Sequence, residues 1–138
     1  MSPERLFADT NLFLRYLTND IPQQADAVET LLRRAAAGEV TLLTNSLVIA
    51  EIVWVLETVY RLSRPSIAEK VLAILNTPGL EVPEAEILLQ AIAWYKEQNL
   101  DFADAYHAAW MLSQGIHTVC TFDRMHFRRI PGLTVLQP

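Results

Sequence analysis

Short apolar runs alternate with helical patterns along the whole chain, and this alternation constrains the fold more than any other feature. Turns containing Gly, Pro or Asn separate the runs from segments whose apolar residues recur at three-and-four spacing. We predict strands at residues 6–8, 40–43, 80–82, 118–122 and 133–136, and helices at residues 11–17, 23–37, 47–62, 65–75, 84–98 and 101–114. Strands that alternate with helices favour a parallel sheet covered on both faces. The predicted fold is α/β, with three α/β/α layers around a central, mainly parallel sheet of about five strands.

Length and composition limit the class of protein. A chain of 138 residues predicts a single domain, residues 1–138, and 51% apolar with 20% charged residues argues against disorder. No apolar run is long enough for a membrane span, and the first residues lack a secretory pattern, so we expect a cytoplasmic protein. A single cysteine, Cys120, cannot form an internal disulfide, and its apolar surroundings predict a buried thiol.

Two of the predicted strands end in an aspartate. Asp9 follows the strand at residues 6–8, and Asp123 follows the strand at residues 118–122. Open α/β sheets bind ligands at the carboxyl ends of their strands. An aspartate in this position is also an ordinary turn residue, which is the alternative for Asp123 taken alone. Because the two acids occupy equivalent strand ends, we favour a shared site.

Further acids lie on predicted helices. The helix around Glu51 is apolar on almost all sides, which predicts a buried carboxylate that is paired, protonated or bound to a metal. The alternatives are a narrow stripe that faces solvent, shared with Glu57, or an ion pair with an arginine. Asp104 and Asp101 have i, i+3 spacing at the start of a helix, and Asp101 suits a helix cap or a neighbour of the ligands. We predict that Asp9, Glu51, Asp104 and Asp123 meet in one pocket.

The charge balance is consistent with a metal site. The net charge of −5 argues at first against a nucleic-acid partner. Setting aside Asp9, Glu51, Asp101, Asp104 and Asp123 leaves acids and bases in equal number. Carboxylates about 4 Å apart repel by about 1 kcal/mol in water and by several times more near a protein interior, so a cluster needs a cation. Oxygen ligands select Mg²⁺ or Mn²⁺, ions that suit phosphodiester hydrolysis.

Other polar side chains near these acids are candidates for supporting roles. Possible neighbours that position ligands or water are Thr10, Asn11, Ser46, Thr121 and Asp101, and for the first four capping and turn hydrogen bonds explain the residues equally well. Possible phosphate contacts are Arg124, Arg128 and Arg129, for which a solvated surface cluster is the alternative. The three histidines show no ligand or triad spacing, so we assign them no catalytic role.

At these positions the sequence resembles PIN-domain ribonucleases, specifically the VapC-type toxins of type II (VapBC) toxin–antitoxin pairs. The resemblance covers essentially the whole chain. It is carried by Asp9-Thr10-Asn11, residues 46–51, Asp104-Ala105, Thr121-Phe122-Asp123 and the tail at residues 127–135. It implies a PIN-like (Rossmann-like) fold, RNA cleavage, a homodimer and inhibition by a VapB-like antitoxin. It also implies that Asp9, Glu51, Asp104 and Asp123 are the catalytic acids that hold Mg²⁺ or Mn²⁺.

Two alternatives from other functional classes stay open. A receiver-like signalling domain also gathers acids at strand ends, but it needs a lysine near the end of a late strand, and Lys70 and Lys96 both lie on predicted helices. The second alternative is a PIN-like binding or regulatory module that has lost catalysis, and the full set of four acids argues against it. The leading hypothesis is a Mg²⁺- or Mn²⁺-dependent endoribonuclease that acts as the toxin of such a pair.

Overall fold

A computed structural model describes residues 3–123 and 125–138. The strands are β1 (Glu4–Phe7), β2 (Val40–Leu43), β3 (Leu80–Glu81), β4 (Thr118–Cys120) and β5 (Thr134–Leu136). The helices are α1 (Thr10–Thr18), α2 (Pro22–Ala36), α3 (Ser46–Thr58), α4 (Arg64–Leu75), α5 (Ala85–Glu97) and α6 (Phe102–Ser113), with a 3-10 turn at Phe127–Arg129. The described residues form two compact units, here called the N-terminal and C-terminal units, with the boundary between Glu84 and Ala85.

The N-terminal unit contains a parallel sheet in the order β1-β2-β3. Leu6 pairs with Leu42 on the central strand β2, which pairs in turn with Leu80. Leu42 is buried, and it packs with Ala35 of α2 and with Val40. Burial of these apolar side chains stabilises the sheet, because it removes their surface from water.

Local signals in the sequence explain where the helices of this unit begin. The side chains of Asp9 and Asn45 accept the backbone N–H of Leu12 and Val48, so each satisfies an otherwise unpaired donor at the start of α1 or α3. Pro22 occupies the first position of α2, where its missing N–H costs nothing. Each of the two caps also fixes the chain where a strand passes into a helix.

Gly79 precedes β3 in a conformation that only glycine fits. Its φ is +80°, and an added Cβ would lie 2.3 Å from the carbonyl oxygen of Ala35. The close approach of this turn to the end of α2 therefore depends on the missing side chain.

The C-terminal unit is built on the contact of α5 with α6. Tyr95 and Phe102 meet edge to face, with ring centroids 6.3 Å apart. Ala105 and Ala108 are buried on α6, and their small side chains permit close packing. Strands β4 and β5 pair in parallel, with Thr118 opposite Thr134.

The predicted fold class is confirmed, since helices alternate with strands and every strand pairing is parallel. The five described strands pair as a group of three and a group of two. The prediction of a buried Cys120 is wrong. Its side chain is exposed, because β4 presents Thr118 and Cys120 to solvent and half-buries only Val119. Strand β4 is also shorter than predicted, since the chain turns after Thr121, whose hydroxyl accepts the N–H of Asp123. Among the described residues, no helix combines the length and the apolar character that crossing a membrane requires.

Candidate metal centre

Asp9 is held where β1 passes into α1. The preceding residue, Ala8, is fully buried, donates its N–H to the carbonyl of Leu43 at 2.7 Å, and accepts the hydroxyl of Thr44 at 2.9 Å. Oδ1 of Asp9 accepts the N–H of Leu12 at 3.2 Å, and the side chain is exposed. The carboxylate is therefore anchored through one oxygen at the carboxyl end of a strand, as the sequence predicts.

Glu51 is exposed, so the prediction that it is buried is wrong. Helix α3 does bury one face, but its other face presents the apolar side chains of Leu47 and Trp54, which are 67% and 64% exposed, on either side of Glu51. Helix α3 is thus apolar on almost all sides in sequence but buried on only one face in the structure. Thr10 donates its hydroxyl to Oε2 of Glu51 at 2.9 Å and so fixes the carboxylate.

A cavity of about 400 Å³ joins these groups within the N-terminal unit. Its polar lining consists of Asp9, Thr10, Asn11, Asn45 and Glu51. The structure therefore brings together two of the predicted acids and two of their predicted neighbours. Asn45 was not predicted as a lining residue; the signal available in the sequence was its position before α3, directly after a strand.

In the C-terminal unit, Asp104, Asp123 and His126 form a group that could hold a metal ion. Each offers one ligand atom, and these atoms all lie within 4.8 Å of one another. Asp104 comes from the first turn of α6 and Asp123 from the loop after β4, and both are half-buried. The predicted proximity of these two acids is therefore seen in the structure.

The two aspartates of this group have opposite electrostatic environments. Burial raises the pKa of Asp104 above its ordinary value of 3.8, and the negative charges of Asp101 and Asp123 raise it further. The side-chain hydrogen bond with His126 lowers the pKa of Asp123, and the backbone N–H groups of His126 and Met125 act in the same direction. Asp104 therefore holds a negative charge at a cost that a cation would relieve.

His126 is the member of this group that sequence reasoning missed. Its Nδ1 lies 2.6 Å from Oδ2 of Asp123. The i, i+3 spacing of Asp123 and His126 was visible in the sequence, but that spacing brings two side chains together only when the chain turns between them. The turn was signalled only by the aspartate itself, which is a common turn residue.

Of the remaining predicted neighbours, Ser46 and Thr121 make hydrogen bonds with other residues, and Asp101 occupies a helix cap position. Ser46 donates its hydroxyl to Oε1 of Glu84 at 2.6 Å, and Thr121 accepts the N–H of Asp123 at 3.0 Å. Asp101 occupies the cap position of α6, is exposed, and makes no side-chain capping hydrogen bond. Its effect on the site is the repulsion that raises the pKa of Asp104.

The three predicted phosphate-binding arginines differ. Arg124 lies outside the described residues. Arg129 donates from Nη1 to the carbonyl of Asn99 at 2.9 Å, so it ties its segment to the loop between α5 and α6. Arg128 is exposed, and its contact with phosphate stays a prediction.

Each unit thus holds two of the four predicted acids: Asp9 and Glu51 in the N-terminal unit, and Asp104 and Asp123 in the C-terminal unit. The pair in the N-terminal unit lines the cavity of about 400 Å³, and the pair in the C-terminal unit belongs to the cluster with His126. That all four carboxylates serve one site stays a prediction.

Comparison with known proteins gives a family match. The model of the PIN domain matches residues 6–133. Among solved structures, the chain is similar to VapBC2 from Rickettsia felis, crystallised with a DNA fragment from its promoter, at 16% identity over 97% of this chain and 98% of that chain, with a TM-score of 0.40. It is similar to VapC20 of Mycobacterium tuberculosis, a toxin that cleaves the sarcin-ricin loop, at 20% identity over 89% and 93% of the two chains, with a TM-score of 0.39. No curated protein matches in sequence. Because both TM-scores are low, the family match alone carries the assignment.

Proposed function

The chain belongs to the PIN domain family, and from this premise we propose that it is a metal-dependent endoribonuclease that hydrolyses RNA phosphodiester bonds. The observation that carries the proposal is the cluster of Asp104, Asp123 and His126, whose ligand atoms lie within 4.8 Å of one another. Two carboxylates at this separation repel each other, and a divalent cation between them removes the penalty.

The donor set fits a hard divalent ion. Carboxylate oxygens from Asp104 and Asp123 are the ligands that Mg²⁺ and Mn²⁺ prefer, whereas a zinc site would draw on more nitrogen or sulfur donors. The raised pKa of Asp104 is a second sign of fit, because burial and then the charges of Asp101 and Asp123 disfavour its ionised form, which a cation would favour. We therefore propose Mg²⁺ or Mn²⁺ as the cofactor.

Each of the four acids has a proposed role in cleavage. When bound, the ion would act as a Lewis acid that polarises the scissile phosphate and stabilises the negative charge that develops on the departing oxygen. Asp104 and Asp123 hold the ion, and the hydrogen bonds that Asp123 accepts keep it ionised. Asp9, which keeps one oxygen free of its helix cap, is proposed as a further metal ligand. Glu51, oriented by Thr10, is proposed to complete the ligand set or to accept a proton from the attacking water.

We further propose that residues 1–138 act as one PIN domain. The support is the family match, which runs from residue 6 to residue 133 and so spans residues of both units. On this proposal, substitutions in either unit impair the same reaction.

The biological role that we propose is that of a VapC-type toxin, a homodimer acting on cytoplasmic RNA and held in check by a VapB-like antitoxin. The support is the resemblance of the motifs around Asp9, Glu51, Asp104 and Asp123 to that group of proteins. Induced expression of the chain should arrest growth, and co-expression of a small protein encoded beside it should relieve the arrest. Growth arrest that persists in an Asp104→Asn variant would contradict a toxic role for the nuclease.

The enzymatic proposal is tested with purified protein and end-labelled RNA. Cleavage should require Mg²⁺ or Mn²⁺, stop when a chelator is added, and return when the ion is supplied in excess. Cleavage that survives the chelator in a preparation free of other nucleases would contradict the proposal.

A further inference from the structure

The half-buried carboxylate of Asp123 accepts hydrogen bonds from Met125 and His126. The backbone N–H groups of Met125 and His126 donate to Oδ1 at 3.1 and 3.2 Å, and the ring of His126 contacts Oδ2 at 2.6 Å. Both carboxylate oxygens are therefore held, one by backbone and the other by a side chain.

The chemistry of the groups fixes the direction of the ring contact. An ionised carboxylate only accepts hydrogen bonds, so Nδ1 of His126 carries the proton and donates it toward Oδ2 of Asp123. The backbone bonds constrain only Oδ1, so the contact with the ring is what fixes the second oxygen.

The segment that carries His126 is itself anchored. Phe127 and Ile130, which follow it, are buried at 6% and 2% exposure. Arg129 donates to the carbonyl of Asn99 in the loop between α5 and α6. The imidazole thus projects from a fixed segment, and its position does not depend on the ring contact alone.

We propose that His126 is a positioning residue, which holds Asp123 in the orientation that keeps a carboxylate oxygen beside Asp104. This inference rests on the proposed metal-dependent function, and it names a residue outside the four acids. Without the ring contact, Asp123 can turn away from Asp104, because turning relieves the repulsion between the two carboxylates and exposes Asp123 to water. Loss of the contact between His126 and Asp123 should therefore weaken metal binding in a protein that is still folded.

Three substitutions at His126 separate this role from others. An asparagine amide nitrogen can take the place of Nδ1, a glutamine amide reaches the place of Nε2, and alanine supplies neither. Mn²⁺ affinity of the full chain is measured by electron paramagnetic resonance of the free ion, with thermal melting to check folding. His126→Ala and His126→Gln should bind Mn²⁺ about tenfold to 100-fold more weakly than the wild type, whereas His126→Asn should stay within a few-fold of it. Raising the Mn²⁺ concentration should restore RNA cleavage by His126→Ala.

Two results would overturn the proposal. One is wild-type Mn²⁺ affinity in a folded His126→Ala variant. The other is a Mn²⁺ affinity as low in His126→Asn as in His126→Ala, together with wild-type affinity in His126→Gln. The ring of His126 would then act through Nε2 and not through Nδ1. If the wild type binds Mn²⁺ and cleaves no RNA, the nuclease proposal is wrong, and the affinities still decide the role of His126.

Discussion

The acids of the two units are held in different ways. In the N-terminal unit, Asp9 caps a helix and Glu51 accepts a hydroxyl, and both side chains are exposed around a cavity. In the C-terminal unit, Asp104 and Asp123 are half-buried and lie close to each other and to His126. The first pair is positioned by neutral donors, whereas the second pair is a concentration of negative charge in which hydrogen bonds from Met125 and His126 hold Asp123.

Because of this difference, we expect the two pairs of acids to contribute differently to metal binding and to cleavage. Burial and repulsion at Asp104 oppose its ionisation, so the C-terminal unit gains most when a cation arrives. Asp9 and Glu51 of the N-terminal unit are exposed, and a backbone N–H and a hydroxyl donate to them. We therefore expect the C-terminal pair to dominate metal affinity, and the N-terminal pair to act mainly on the rate of cleavage.

The largest expected effect is the loss of cleavage when the C-terminal pair is changed. Asp104→Asn keeps the size of the side chain and removes its charge, so the ion loses an anionic ligand. Since a bound ion contributes several kcal/mol to the transition state, we expect a decrease of about 1000-fold in kcat/KM for RNA. Glu86→Gln, an exposed change in the first turn of α5, is the control and should leave cleavage unchanged. Equal activity of the two variants would remove Asp104 from the site.

Metal binding should also stabilise the protein through the C-terminal pair. At about 100 times the dissociation constant, a ligand that binds only the folded state stabilises it by about 2.7 kcal/mol. Melting of the wild type should therefore shift upward with Mn²⁺ by several degrees, whereas Asp123→Asn should show little shift. A rise in melting temperature with Mn²⁺ as large in Asp123→Asn as in the wild type would mean that the stabilising ion binds at another site.

A smaller effect is expected from the hydrogen bond in the N-terminal unit. Thr10→Val keeps the shape of the side chain and removes the donor to Glu51. We expect about a tenfold decrease in kcat with little change in Mn²⁺ affinity, in line with the loss of a group that orients a ligand. Thr10→Ser retains the hydroxyl and should stay near wild type. An equal loss in both variants would mean that the hydroxyl is not the cause.

The smallest effects concern the stability of the metal-free protein, and they have opposite signs. The pKa of Asp104 is raised on folding, so its contribution to stability is present at low pH and is lost as pH rises through the raised value. The pKa of Asp123 is lowered, so its contribution is present above the ordinary value and is lost as pH falls through the lowered one. At pH 7, Asp104→Asn should melt slightly above the wild type and Asp123→Asn slightly below it, each by a few degrees at most. Shifts of the same sign would contradict the contrast between the two carboxylates.

Local features of the fold and of the candidate site can be predicted from the sequence. Asp9 was predicted at a strand end before a helix, and Asp104 in the first turn of α6, because the signals for both positions lie within a few neighbouring residues. The parallel pairing followed from the alternation of strands and helices.

The parts that sequence could not supply depend on contacts. Glu51 shares the exposed face of α3 with two apolar residues, Leu47 and Trp54. Periodicity in the sequence cannot distinguish an apolar residue in the core from one on the surface, so it could not identify this face as exposed. The role of His126 follows from a turn and from buried anchors at Phe127 and Ile130. Cys120 was predicted to be buried by its apolar neighbours, but β4 leaves it exposed.

The claim that both units serve one metal-dependent reaction is tested most directly by the Mn²⁺-dependent rate of RNA cleavage in Asp9→Asn, Asp104→Asn and the double variant. Groups that act as a unit are strongly non-additive, so the double variant should be no slower than the slower single variant. Wild-type cleavage by Asp9→Asn, or two losses that simply multiply in the double variant, would contradict the claim.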